Sequence, residues 1–231
     1  MYFPKKAAFK TERKMKNIHI VTNNLLIREI TPVDVFSLEK IRLEIAKTPE
    51  NRPYYALQKS GDAIRFCQDA IAQQQETPRK TLGLAIMEKS APHKMIGFIV
   101  GELTPLDKNE WGGQIGLADV GYFLSPEHQG KGYVTEAMRG VTGRIFFEKL
   151  GYEYVNATVH PENKPSLAVL QSVGMKVYGE TKKYGNEPRL LLKVTKEDFF
   201  NHTNRNNENK NAATVENTKV IKALLPASCG R

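Results

Sequence analysis

Apolar and polar positions along the chain trade between two periods. Residues 25–30 read as a strand, and Thr31-Pro32 then opens a helix with proline at its first position, where a missing N–H costs nothing. Phe36, Leu38, Ile41 and Ile45 carry the apolar side of that helix, and Ile64, Ala70 and Ile71 mark a second helix over residues 62–75. Two strands follow, at 82–87 and 95–103, split by a polar turn at 89–94. A loop over 107–116 leads into an alternating strand at 117–124. Beyond a glycine-containing turn, Val134, Ala137, Met138, Val141 and Ile145 recur at helical spacing. Residues 152–159 are a strand, 166–173 a helix closed by Gly174, and Val177 and residues 190–194 fall in the closing strands. Strands paired before the turn and a β-α-β order after it predict an α/β protein with a mixed sheet and helices on both faces.

The flanks break this pattern. Residues 1–22 are read as a basic extension, 23–200 as the folded domain, and 201–231 as a flexible tail. Asparagine at 201, 204, 206, 207, 209 and 211 leaves that tail too little apolar surface to order itself. The formal net charge is +9 over 231 residues, but lysines and arginines crowd both flanks and leave residues 17–200 nearly neutral. Nucleic-acid contact is therefore expected only through the basic tails, which are read first as solvated ends. No run of about 18 apolar residues predicts a membrane span. The basic N-terminus lacks the apolar core of a secretory signal. Cys67 and Cys229 lie far apart and neither has metal-ligand spacing, so a reducing, cytoplasmic setting without a metal is expected.

The chemistry concentrates at residues 118–137, ADVGYFLSPEHQGKGYVTEA, where a strand meets a Ser-Pro break, two glycines around a lysine, and a helix start. Backbone N–H groups bared at a helix start bind anions. Glycine lets the backbone turn tightly around a phosphate. A Walker loop is excluded because Gly132, not Ser or Thr, follows Lys131, and a dinucleotide fingerprint is excluded because Thr135 stands at its third glycine.

Gln129-Gly130-Lys131-Gly132-Tyr133-Val134 resembles the Q/R-x-x-G-x-G/A loop of the GNAT acetyltransferases, with Val134 in place of the small last residue. The surrounding D-V-G-Y and G-K-G-Y-x-T-E-A, together with Asn163-Lys164-Pro165-Ser166 and Gly174-Met175, resemble the Rim-type branch that acetylates ribosomal-protein N-termini. Leu26-Ile27-Arg28 and Asp34 resemble its first strand and turn, so that the likeness covers roughly residues 23–195. The resemblance implies a mostly antiparallel central sheet with a splayed central strand, and acetyl-CoA as acetyl donor. It implies that Gln129, Gly130, Lys131, Gly132, Tyr133, Val134 and Thr135 hold the pyrophosphate, while Tyr122, Phe123 and Leu124 hold the pantetheine arm through backbone groups. It also implies a cofactor-contacting Asn163 and a proton-donating Ser166 near the sulfur. A serine at a helix start is also an ordinary N-cap, and Tyr154, Tyr178 and Tyr184 are rival proton donors.

The base is open among carboxylates. Asp119, on one face of the central strand with Gly121 and Phe123, is the first candidate, Glu102 the second and Glu180 the third. His128 and His160 read as surface or structural residues, and Trp111 as packing at a sheet edge. The expected function is transfer of an acetyl group to a primary amine, a protein N-terminus before a small-molecule amine. A non-catalytic acyl-CoA-binding module is the alternative. The expected assembly is a monomer or homodimer, with no membrane partner.

Overall fold

The computed structural model describes residues 18–47, 57, 59–77, 79–103, 116–117, 119–183 and 186–205. Residues 1–17 and 206–231, Trp111, Tyr184 and most of the loop expected at 107–116 lie outside the described residues.

Two sheets share the fold. The first is wholly antiparallel, in the order β1 (His19–Val21), β2 (Leu25–Glu29), β3 (Thr81–Glu88), β4 (Met95–Glu102) and β6 (Asp119–Leu124). The second runs β5 (Gly116–Leu117), β7 (Tyr154–Val159), β9 (Glu187–Thr195) and β8 (Lys176–Lys183), with only β5 and β7 parallel. The expected mixed, mostly antiparallel α/β architecture is present. The single strand expected at 117–124 is not: Gly116–Leu117 pairs with β7, whereas Asp119–Leu124 pairs with β4. That change of partner is the splay. Beyond Leu117 the two sheets diverge, and among the described residues β6 has no strand on the edge facing β7.

Strands buried on both faces feed two apolar layers. Leu82, Leu84, Ile86, Ile99, Val120 and Leu124 face one layer, covered by α3 (Tyr133–Val141), its π-helical continuation Thr142–Lys149, and α4 (Lys164–Ser172). Ala85, Met87, Phe98 and Phe123 face the other, covered by α1 (Val35–Lys47) and α2 (Asp62–Gln73). Strand alternation accounts for this division. Phe123 stacks on Phe98 with centroids 6.1 Å apart. A Cβ on Gly97 would collide with the Phe123 carbonyl, so glycine there lets β4 and β6 approach.

Four expectations shift. The segment after Thr31 begins as a 3-10 turn, Pro32–Asp34, before α1 starts at Val35. Asp34 accepts from Thr31 N (2.8 Å) and takes Arg28 in two bonds (2.7 and 2.8 Å). Burial pushes its carboxyl up, but these hydrogen bonds outweigh that and hold it below its usual value. Phe36 therefore leaves the apolar side: it is 80% exposed, while Leu38, Ile41 and Ile45 are buried. In α2 the inward stripe is Ala63, Cys67 and Ala70, and Ile64 is 54% exposed. The packed body also extends past both expected boundaries. β1 lies within residues 1–22, and residues 196–205 form a further helix, α5, crossing the boundary at 200. Thr195 and Asp198 cap its start reciprocally, Phe199 is buried against Phe147, and His202 Nε2 lies 3.0 Å from Ser172 O.

Candidate active site

The glycine turn is built by local backbone geometry. After β6, Ser125 leads into the 3-10 turn Pro126–His128, and the Gln129 side-chain amide donates to Leu124 O at 2.9 Å, closing the loop onto the strand end. Gly130 and Gly132 sit at φ 75° and 76°, in the left-handed region that disfavours a Cβ. A Cβ built at either position meets no described residue within 4 Å, so the need for glycine there is conformational. Gly132 is the N-cap of α3, with no side-chain cap among the described residues. The first helical bond is Glu136 N to Gly132 O, 3.0 Å, which leaves the Tyr133, Val134 and Thr135 amides without intrahelical partners.

An acidic side chain in this first turn would compete with a bound anion, and Glu136 is kept from doing so. Its carboxylate accepts from Thr22 Oγ1 (2.5 Å), Asn24 N (2.7 Å) and Asn24 Nδ2 (2.8 Å) in the β1–β2 turn. Burial raises its pKa, and the hydrogen bonds from Asn24 and Thr22 more than reverse this, so the net shift is downward. Lys131 is half-exposed, with Nζ 3.6 Å from Glu88 Oε1 and 5.5 Å from the Tyr133 ring centre. The Tyr133 phenol bonds Glu88, which holds that carboxylate below its usual value and raises the phenol. Val134 packs on the apolar layer, and Thr135 Oγ1 meets Ser172 Oγ at 3.2 Å, joining α3 to α4.

Across the splay, α4 begins differently. Asn163, not Ser166, is its N-cap: the Asn163 Oδ1 accepts Ser166 N at 3.0 Å, and Pro165 has no N–H to satisfy. The Ser166 hydroxyl is thus released from capping. It lies 2.8 Å from the Tyr122 hydroxyl, which also donates to Ser166 O at 3.0 Å. Burial pushes the Tyr122 phenol up to about 12, with the Ser166 hydrogen bond opposing. Phe123 and Leu124, whose backbone was expected to matter, have side chains in the core, on opposite faces of β6.

Of the rival tyrosines, Tyr154 and Tyr178 do not gather here. Tyr154 is fully buried, with Lys193 over its ring, and Tyr178 stands 39% exposed on β8. The phenol that does reach Ser166 belongs to a residue expected to act through its backbone. Alternation carried the signal: Val120, Tyr122 and Leu124 share the face turned toward α3 and α4.

Asp119 sits at the vertex where the sheets part. Its carboxylate accepts Thr158 N (3.2 Å), Thr158 Oγ1 (3.2 Å) and Lys183 Nζ (2.9 Å). Glu102 is opposite Asp119 in the β4–β6 register, is exposed, and meets no partner among the described residues. Glu180 is exposed on β8, opposite Leu190. His128 is buried beside the loop with Nδ1 3.5 Å from Glu127, and His160 Nδ1 accepts Glu162 N at 3.2 Å. Among the described residues no cluster of three or more His, Cys, Asp or Glu is gathered as for a metal, and no helix is long and apolar enough to cross a membrane.

Two sheets that part at Asp119, with a glycine turn and a helix start lacking a side-chain cap at the end of the splayed strand, make up the α/β framework of the site. The chain belongs to the GNAT acetyltransferase family, whose model, described as an acetyltransferase (GNAT) domain, matches residues 24–176, more than half its length. It is 35% identical over 72 residues to the uncharacterized N-acetyltransferase YnaD of Bacillus subtilis (strain 168), covering 30% of this chain and 42% of that one. The chain thus spans less than half the length of the curated relatives it matches. Its structure is similar to the ribosomal-protein-S5-alanine acetyltransferase of Vibrio fischeri, with a TM-score of 0.63 at 20% identity over 79% of this chain and 98% of that one. It is also similar to Mycobacterium smegmatis RimJ in complex with CoA-disulfide, with a TM-score of 0.61 at 22% identity over 75% and 83% of the two chains. At such identities the likeness is one of fold.

Proposed function

We propose that the protein is an acetyl-CoA-dependent N-acetyltransferase whose acceptor is a protein N-terminal α-amine. The observation that carries this is the α3 start: three unpartnered amides behind Gly132, no described residue within 4 Å of a Cβ built at either glycine, and an acidic side chain held away. That arrangement fits a pyrophosphate, with Lys131 free to leave Glu88 for a phosphate at little cost because the pair is half-exposed. Among the described residues no strand lies on the edge of β6 that faces β7, and an extended amide-bearing arm would run along it. Acetyl-CoA supplies an activated acetyl group and departs as a thiol.

Ser166 holds the proton for that departure, at the mouth of the splay beside Tyr122. Asp119 already accepts from three donors, one of them a lysine, so Glu102 is the freer carboxylate to take a proton from the acceptor, through water. An α-amine, with pKa about 7.7–8.0, needs only such modest help near neutral pH. The preference for a protein N-terminus draws on the names of ribosomal-protein acetyltransferases among the similar folds.

The test is incubation with acetyl-CoA and matched peptides, free or blocked at the N-terminus, beside polyamines and amino-acid amides, with free CoA and product mass measured. Acetylation of the free N-terminus alone is expected. Acetylation of the small amines alone would overturn the acceptor assignment. Binding of acetyl-CoA without release of CoA by any amine would make the protein an acyl-CoA-binding module.

A further inference from the structure

We propose that Tyr122 sets the direction of the Ser166 proton, as a positioning residue for the transfer assigned to Ser166; this rests on the acetyl-transfer reading above. A phenol has one hydrogen, and here it has two acceptors on one residue: Ser166 O at 3.0 Å and Ser166 Oγ at 2.8 Å. If it donates to the carbonyl, the serine hydroxyl donates to the phenol and shows the site only lone pairs. If it donates to Oγ, the serine proton is freed to point outward. The choice between these arrangements decides whether Ser166 faces the site as an acceptor or as a donor.

Both heavy-atom frames are held still. Tyr122 is fixed in β6 opposite Ile99, with its side chain packed on the apolar layer. Ser166 is fixed by Asn163, which takes its amide. Only the hydrogens have freedom to move. Burial keeps the phenol protonated well above the pH at which an α-amine becomes neutral, so Tyr122 remains a donor over the working range. In the transfer, the Ser166 O–H bond breaks as the departing sulfur gains the proton. Ser166 Oγ is reprotonated, through solvent, by the proton the acceptor nitrogen loses on becoming an amide. The Tyr122 O–H bond stays intact, and its hydrogen bond stabilises the negative charge that passes over Oγ.

The test uses Tyr122→Phe, Ser166→Ala and the double variant. Turnover on an accepted amine is measured, together with calorimetric affinity for CoA and for desulfo-CoA, and melting temperature. Ser166→Ala is expected to lower kcat about 100-fold or more. Tyr122→Phe, which keeps the ring, is expected to lower kcat about tenfold with little change in KM for acetyl-CoA. Added to Ser166→Ala, it should cost no more than about twofold, because a residue acting through another has nothing left to act on. Wild type should prefer CoA over desulfo-CoA, and both single variants should narrow that preference. An equal loss from Tyr122→Phe in both backgrounds, or a lower melting temperature with the CoA preference intact, would overturn the proposal and leave Tyr122 a packing residue. If wild type bound neither ligand, the acetyl-CoA reading itself would fail.

Discussion

Two helix starts border β6, one following it through the glycine turn and one bonded to Tyr122, and they solve the same problem in opposite ways. α3 begins at a glycine with no side-chain cap among the described residues, leaves three amides open, and sends its acidic side chain to the β1–β2 turn. α4 begins at Asn163, gives its Ser166 amide to that side chain, and has a proline where another amide would be. One start is an unsatisfied positive end and the other is closed upon itself. A helix start binds an anion only when its own sequence declines to do so. The residue types at the cap thus separate the two starts: amides left open at α3, a hydroxyl presented on a rigid frame at α4.

The comparison breaks first at Gly132. Gly132→Asp places a carboxylate and a Cβ at φ 76°, a region aspartate tolerates, so the fold should survive. Calorimetry should show acetyl-CoA affinity weakened by roughly 2–3 kcal/mol or more, since the new charge both caps the helix and repels phosphate. Undiminished affinity in a folded variant would remove α3 as the anion site. Closing one start is matched by opening the other. Asn163→Ala should cost about 1 kcal/mol of stability, read as a lower melting temperature, with acetyl-CoA affinity nearly kept. A large loss of affinity instead would mean that Asn163 serves the ligand before the helix.

A smaller effect tests how α3 stays open. The folded-state pKa of Glu136 is lowered, so its contribution to stability is complete above the unfolded carboxylate value near 4.3 and is lost as pH falls through the lower folded value. Glu136→Gln should lower the melting temperature most in the neutral region and least in acid, so that the acid limb of the profile flattens. Asp34 is lowered as well and will continue to shape that limb in the variant. The smallest effect expected is none: removing residues 206–231, which open with asparagine at 206, 207, 209 and 211, should change neither melting temperature nor acetyl-CoA affinity. Cutting ten residues earlier, after Thr195, removes buried Phe199 and the His202 contact with Ser172, and a clear fall in melting temperature is expected.

Much of this was legible in the chain itself. Period-two and period-3.6 patterns located β3, β4 and β7 to within two residues at each end, and residue types alone marked the glycine turn and the helix start behind it. What escaped were matters of partner and facing. Nothing in residues 117–124 says that their first residue pairs with a different sheet, because both pairings use the same extended backbone. Phe36 and Ile64 fit the helical period, yet a 3-10 turn and a closer-packed stripe of small residues turned them outward. The partners of Asp119 and Tyr122 lie 39 to 64 positions away, beyond any local pattern. The helix runs past the expected boundary at 200 for a plainer reason: asparagine composition masked His202, whose spacing puts it on the same side of α5 as Phe199.

The stitch at Asp119 has a mechanical consequence. β6 is anchored to the second sheet at its first residue, and among the described residues no strand of that sheet pairs with it from there to Leu124. Five residue steps at about 3.3 Å make it a lever arm of roughly 17 Å. A tilt of about 5° at the vertex displaces the far end by about 1.5 Å, a shift of the size that disrupts the alignment of reacting atoms. The pivot consists of one carboxylate, one threonine and one half-exposed lysine. A change at Lys183, on β8 of the second sheet, would therefore be felt most strongly at the opposite end of the wedge.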